Sequence, residues 1–320
     1  VTASFGEGVT VHDCGPLEGG LFAAVWWVAL DDGRQVVVKV APPREVPVLA
    51  YEQGLMTAEA EYFQLAREYV PEVPVPEVLH HGLDVELDAE WLVLSHLAGT
   101  GLPELRSTDR LLDDRGVKHE VGVALARLHS ITGPRFGYSG DRPHAATWAA
   151  ALAAMIDSLL DDARAWHVQL DSRPQRIRDV VAAKRALLNE IKTPVLLHFD
   201  LWDGNVLATA DAAGRASLSG IVDGERYMFG DPLVDFVSPG LLSPIDEPGH
   251  PFRAGYAMTA GIDLLSSPSA LMRLALYRLH LHLLMVVEMP SRGEGGAEHD
   301  HKRKSLLAQL DDQLARLERD

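Results

Sequence analysis

The sequence predicts a mixed α/β (α+β) protein of two lobes, with a β-rich N-lobe followed by a mainly helical C-lobe. Three observations predict it. The first hundred residues carry short runs rich in β-branched and aromatic residues, separated by glycine- and proline-bearing turns. Beyond them, apolar residues recur at spacings of three and four, the mark of helices with one buried face. Between the two regimes lies a glycine-bearing stretch over 95–101. It places the lobe boundary so that residues 1–97 form the N-lobe and 98–320 the C-lobe. A chain of 320 residues is long enough for two lobes that each bury a core.

Taken in order, residues 9–14 read as a first strand and 15–20 as a turn bearing Gly15, Gly19 and Gly20. A second strand over 23–30 leads through Asp31-Asp32-Gly33-Arg34 to a third over 35–40. Asp-Gly tolerates the positive φ that a tight hairpin needs. Lys39 lies near the end of the third strand. Residues 56–69 have helical character, 70–76 are extended by their prolines, and 91–94 form another apolar strand. In the C-lobe, helices are expected over 121–128, 146–166, 177–191, 270–289 and 306–317, with a glycine-rich loop over 291–297. The helix over 146–166 sets Trp148, Leu152, Met155, Ile156 and Leu159 on one face. The stretch 270–289 carries Arg273, Arg278, His280 and His282, so it reads as a buried core helix rather than a membrane span.

The densest chemistry is His198-Phe199-Asp200-Leu201-Trp202-Asp203-Gly204-Asn205, followed by Ile221-Val222-Asp223. Apolar 195–197 precedes it, apolar 206–208 follows, and polar 211–215 turns the chain back. A β-hairpin there would gather Asp200, Asn205 and Asp223. Phosphoryl transfer from a nucleotide needs these residue types in this order. One carboxylate accepts or orients the proton of the attacking hydroxyl; an amide and a further carboxylate hold the magnesium that neutralises the phosphates. Lys39 is costly to bury among β-branched residues without a partner, and reads as the cation that grips the phosphates. Glu59 and Glu61 on the following helix both border its inward face, and Glu59 is preferred as the partner of Lys39. The Gly15 to Gly20 turn could lay backbone N–H groups on phosphate oxygens, although it lacks P-loop spacing. Asp231 before Pro232 reads as a helix N-cap and Asp235 as structural. Glu225, Glu288, Asp263 and Asp157 read as surface carboxylates.

A net charge of -17 disfavours a nucleic-acid partner or an anionic membrane and favours a cationic small molecule. The single Cys14 excludes a disulfide framework, and no histidine pair has metal-ligand spacing. The chain opens without a basic segment and apolar run, so a cytoplasmic location is expected.

These residues resemble the aminoglycoside phosphotransferase family, small-molecule kinases with a protein-kinase-like fold. The likeness spans nearly the whole chain. Its anchors are the strand with Lys39, Glu59-Ala60-Glu61, Val73-Pro74-Val75-Pro76, Leu125-Ala126-Arg127-Leu128-His129, the segment from His198 to Asn205, Ile221-Val222-Asp223, and Gly230-Asp231-Pro232 with Asp235. The resemblance implies that Asp200 is the base or hydroxyl-orienting residue, that Asn205 and Asp223 bind Mg2+, and that Lys39, paired with Glu59, contacts the phosphates of ATP or GTP. It implies that the Ser95 carbonyl and Leu97 N–H meet the base edge; the turn with Gly19 and Gly20, read above as a nucleotide contact, departs from the protein-kinase glycine loop. His198 would brace the loop. Phe199 stands where many members carry glycine, and Gly224 replaces a common aromatic. The expected acceptor is a hydroxyl of a small molecule, an antibiotic of the aminoglycoside, peptide, macrolide or nucleoside type, which would confer resistance. The alternative is a metabolic acceptor such as choline, homoserine or a fructosamine. A nucleotide-binding regulator and a kinase of protein hydroxyls are less favoured: the motif residues are intact, and the span after Asp223 leaves little room for an activation segment. No oligomeric state follows from these residues.

Overall fold

The computed structural model describes the chain except residues 1, 7, 18–21, 86–87, 109–111, 242–244, 248 and 320. Strands β1 (Val11–Pro16), β2 (Ala24–Leu30) and β3 (Gln35–Val40) are followed by α1 (Leu55–Tyr69), β4 (Val78–Asp84), β5 (Ala89–Ser95), the short β6 (Thr100–Gly101) and α2 (Leu102–Thr108). Next come α3 (Arg115–Leu128), β7 (Phe136–Tyr138), β8 (His144–Ala145), α4 (Trp148–Ala165), α5 (Arg173–Ala183), α6 (Arg185–Leu188) and β9 (Val195–Leu197). The chain then forms β10 (Val206–Ala210), β11 (Ala216–Ile221), β12 (Met228–Gly230), α7 (Pro251–Ala260), α8 (Pro268–Glu288) and α9 (Asp300–Arg319).

These elements make two compact units, neither of them continuous in sequence. The first comprises Val1–Pro47, Gly54–Val117 and Asp203–Glu225; the second comprises Val48–Gln53, Lys118–Trp202 and Arg226–Asp320. A single cut after residue 97 therefore does not separate them. The physical reason lies in two segments. The β10–β11 hairpin joins the first unit because β10 pairs with β6, Leu207 opposite Gly101 and Ala208 opposite Thr100. Val48–Gln53 joins the second, where the Ala50 N–H donates to Asp162 at 3.0 Å and Arg142 donates to the Tyr51 carbonyl at 3.3 Å.

In the first unit, an antiparallel sheet runs β1-β2-β3-β5-β4, and a second runs β11-β10-β6. Val28, Leu30, Val36 and Val93 form a core cluster on the larger sheet. Helix α1 buries Leu55, Met56, Ala58, Tyr62 and Phe63, the face that its apolar spacing predicts. β4 has no counterpart in the expected elements, because His80, His81 and Gly82 interrupt its apolar run. It pairs with β5 all the same, and the His80 ring packs on Trp91 at 4.3 Å.

In the second unit, a sheet ordered β8-β7-β12-β9 adjoins the helices. Trp148, the first residue of α4, is fully buried and donates its indole N–H to the Tyr277 hydroxyl at 2.7 Å. Tyr277 in turn donates to Asp231 at 2.7 Å, and Asp231 accepts the Leu233 N–H at 3.1 Å, so the expected cap also ties α8 to the sheet. The expected helix over 177–191 is instead α5 and α6, interrupted at Lys184. Helix α8 is long and apolar enough to cross a membrane, but here most of its residues are buried against α4 and α9.

Helix α8 carries a pH dependence. Burial holds His280 and His282 at pKa values of about 4, against 6.5 for a free imidazole, with Arg278 adding to the shift of His282. Both rings stay neutral in the folded chain, while the unfolded chain takes up protons as soon as the pH drops below 6.5. Their contribution to stability is whole above that value and is lost as the pH falls toward about 4. The urea midpoint should decline over this window, and His280→Phe should flatten the decline. An equal slope in the variant would remove His280 as a cause.

Candidate active site

In the first unit the site begins with a lysine that the sheet buries. β3 lies between β2 and β5, so Lys39 is not on an edge, and it is only 7% exposed. Its ammonium donates to both oxygens of Glu59, at 2.8 and 2.9 Å, and to Asp223. Burial works against this cation, but Asp223, Glu59 and Glu225 outweigh it and raise its pKa above the ordinary lysine value. Glu59 is fully buried on α1. Burial, aided by Asp223, pushes its pKa upward against the pull of Lys39. Of the two glutamates considered for this pairing, Glu59 is therefore the one that reaches Lys39.

Asn205 ends a short 3-10 turn, Asp203–Asn205, and is 6% exposed. Its backbone carbonyl accepts the Val222 N–H at 3.1 Å, so the hairpin ties Asn205 to the strand that leads into Asp223. Asp223 has φ of +67°, a left-handed conformation that aspartate tolerates better than most residues. Gly224 follows because a Cβ there would lie 2.2 Å from the Tyr62 ring, which accounts for the missing aromatic. Glu59, Asp223 and Glu225 offer ligand oxygens that lie within 4.8 Å of one another, and Glu225, read above as a surface carboxylate, is buried here. These carboxylate oxygens suit a hard divalent cation such as magnesium.

The other expected nucleotide contacts are spread along the first unit. Ser95 ends β5 opposite Val36, and its hydroxyl accepts the Glu77 N–H at 2.8 Å. The Leu97 side chain packs where a Cβ on Gly220 would otherwise be, 2.7 Å away. Gly19 and Gly20 lie outside the described residues. Arg106, which no local signal marks, bridges Asp114 and Asp203 beside the 3-10 turn.

In the second unit Asp200 follows β9 on a loop held by one buried carboxylate. Asp235 accepts the His198 N–H at 2.8 Å and the Phe199 N–H at 2.5 Å, and it meets the His129 ring at 3.1 Å. Asp235 is structural, as read, and what it structures is this loop. Phe199 has φ of +66°, in the left-handed region that favours glycine. Its ring stacks on His280 at 5.3 Å, and its carbonyl accepts the Ser238 hydroxyl at 2.7 Å. The His198 ring accepts the Asp200 N–H at 3.3 Å. The Asp200 carboxylate, 21% exposed, lies 3.6 Å from Arg226. Arg226 also pairs with Glu288, which corrects the reading of Glu288 as a surface carboxylate: it is 8% exposed. The available signal was a lone charge between Val287 and Met289 at the end of an apolar helix.

Comparison with known proteins adds to this geometry. The model of the phosphotransferase enzyme family APH matches residues 13–271. A "Probable ketoamine kinase" of Vibrio cholerae serotype O1 is 32% identical over 165 residues, 47% of this chain and 50% of that protein. Another "Probable ketoamine kinase", of Enterococcus faecium, is 29% identical over 105 residues, covering 29% of this chain and 37% of that one. The chain thus spans half the length or less of these curated relatives. Among solved structures, a "putative fructosamine-3-kinase" of Thermobifida fusca superposes with a TM-score of 0.68 at 21% identity, covering 96% of this chain and 95% of that one. A thermostable mutant of aminoglycoside phosphotransferase APH(4)-Ia, solved with AMP-PNP and hygromycin B, gives 0.64 at 18% identity, covering 98% and 96%. The fold is that of these kinase-like proteins.

Proposed function

The chain belongs to the APH phosphotransferase enzyme family, and on that premise we propose that it transfers the γ-phosphate of ATP or GTP to a hydroxyl of a small ketoamine. The observation that carries the chemistry is the buried Lys39 ammonium held between Glu59 and Asp223. Two carboxylates on one buried ammonium leave an excess of negative charge, which a divalent cation would offset so that Lys39 can meet the phosphates. Lys39 binds the nucleotide phosphates, with Glu59 keeping it in place. Asn205 and Asp223 hold magnesium, which when bound offsets charge on the phosphates. Ser95 and Leu97 meet the base edge, and Gly19 and Gly20 cover the phosphates. Asp200 orients the acceptor hydroxyl and takes its proton as the new O–P bond forms. The bond from the γ-phosphorus to the bridging oxygen breaks, and the nucleoside diphosphate leaves.

The acceptor class rests on the relatives, which favour the fructosamine form of the metabolic alternative over the antibiotic reading. Near Asp200, Arg226 pairs with Glu288 and Arg292 with Glu52. The protein acts on its acceptor as a soluble enzyme of the cytoplasm. The test is incubation with labelled ATP and a panel that includes a glucose-derived ketoamine of an amino acid, choline, homoserine, aminoglycosides and casein. Phosphate should appear on the ketoamine. Transfer to an aminoglycoside alone would replace this acceptor by the antibiotic, and nucleotide binding with no transfer to any acceptor would sink the kinase reading.

A further inference from the structure

Around Asp200 the second unit buries more charge than a loop needs for its own folding. Glu288, the last residue of α8, faces the Arg226 Nη2 through Oε1 at 3.0 Å and accepts the Tyr51 hydroxyl on the same oxygen. Arg292 approaches it at 3.9 Å and meets Glu52 at 2.6 Å. Glu52 closes its own turn by accepting the Leu49 N–H at 2.8 Å. Tyr51, Glu52 and Glu288 are all buried, and the Arg226 and Arg292 side chains are 12% and 6% exposed. Tyr138 and Arg142 share this field: the Tyr51 and Tyr138 rings stack at 6.2 Å, and the Arg142 guanidinium lies 5.0 Å over the Tyr138 ring.

Buried ionic networks of this kind add little stability over apolar side chains of the same volume. What they supply is fixed geometry. The Arg226 guanidinium is planar and presents its donors in a rigid fork. Its Nη2 is held by Glu288, while its Nε, the neighbouring donor on the same edge, faces Asp200 Oδ2 at 3.6 Å. Anchoring Nη2 sets the plane of the guanidinium and with it the direction of the Nε–H. Tyr51 and Arg292 fix Glu288 in turn.

We propose that Glu288 is a positioning residue for phosphate transfer: it orients Arg226, and Arg226 holds the Asp200 carboxylate in the arrangement that receives the acceptor hydroxyl. This rests on the reading of Asp200 as the hydroxyl-orienting residue. Glu288 acts on the chemical step and not on the nucleotide, whose expected ligands lie in the first unit. A misplacement of about 1 Å at a reacting group lowers rates by as much as about 10²-fold. Glu288→Gln keeps the shape but removes the charge that holds Arg226, and kcat should fall by about 10- to 100-fold. The KM for ATP should stay within about twofold, because that variant leaves the nucleotide residues untouched. Glu288→Asp should recover part of the loss. Tyr51→Phe, which removes one hydroxyl and leaves the ion pair intact, should lower kcat by a smaller factor with the same unchanged KM.

The assay uses the full chain, a glucose-derived ketoamine of an amino acid as acceptor, and Asp200→Ala as control. Wild-type kcat in both Glu288→Gln and Tyr51→Phe, with Asp200→Ala inactive, overturns the positioning role and leaves the functional reading standing. A KM for ATP that rises in step with the fall in kcat also overturns it, since a general loosening of the fold would do that. If Glu288→Gln does not fold, Tyr51→Phe decides. Activity in Asp200→Ala, or no transfer by the wild-type protein, sinks the reading beneath the proposal.

Discussion

Asp200→Ala should lower phosphate transfer by about 10²- to 10⁴-fold while leaving nucleotide affinity within about twofold. The backbone of the loop explains the split. Its bonds to Asp235 and Ser238 are made by the N–H groups of His198 and Phe199 and by the Phe199 carbonyl, none of which involves the Asp200 side chain. Arg226 loses one partner but keeps Glu288, so no buried cation is stranded. The variant should therefore fold and keep its loop, and what it lacks is the group proposed to take the acceptor's proton. Single-turnover transfer and calorimetric titration with nucleotide read the two halves separately. Turnover within tenfold of wild type would remove Asp200 from the mechanism, and a parallel loss of nucleotide affinity would mean that the substitution damages more than proton transfer.

Where local chemistry determines an element, the sequence is readable. β3 is found at its expected bounds because four of its six residues are valine and the Asp-Gly turn fixes its start. The β10–β11 hairpin is equally plain, with apolar runs on either side of a polar turn. β4 is hidden because its two histidines and glycine look like loop, and only pairing with β5 makes it a strand. Helix α3 starts at Arg115, before the apolar spacing that marks 121–128, because its first turns are polar. The capture of Val48–Gln53 by the second unit has no local signal at all: it depends on Asp162, Arg142, Glu288 and Arg292, all distant in sequence.

The site divides in the same way. Lys39 is legible because a charge inside a β-branched run demands partners. Which glutamate answers it depends on the rotation of α1, and spacing alone leaves Glu59 and Glu61 nearly equivalent. The left-handed backbone at Phe199 cannot be seen from a phenylalanine. Asp235 reads correctly as structural, yet its importance is that two backbone donors of the Asp200 loop converge on it. Arg226 and Glu288 are the deepest miss. A charge at the end of an apolar helix is a weak sign, and the partner that gives it meaning comes from a separate part of the chain.

The second large effect belongs to Asp223, and its sign depends on the metal. Asp223→Asn preserves the size of the side chain and suits the φ of +67°, since asparagine enters the left-handed region readily. The change therefore isolates charge. With magnesium present, the variant should bind nucleotide more weakly, need more magnesium to saturate, and transfer phosphate about 10²- to 10³-fold more slowly, the loss typical of removing one electrostatic stabiliser from a closed site. With magnesium chelated, the order should reverse. Asp223 sits on the Lys39 ammonium and places a negative charge near the position that the phosphates must take. Without the metal that charge only repels them and competes for Lys39, so removing it should leave affinity unchanged or improve it. Asn205→Ala, which takes away a neutral oxygen donor, should weaken the magnesium dependence but produce no such reversal. Calorimetry with ATP in magnesium and in chelator tests both. A loss of affinity in Asp223→Asn that is the same under the two conditions would make Asp223 a structural partner of Lys39 and remove it from the metal site.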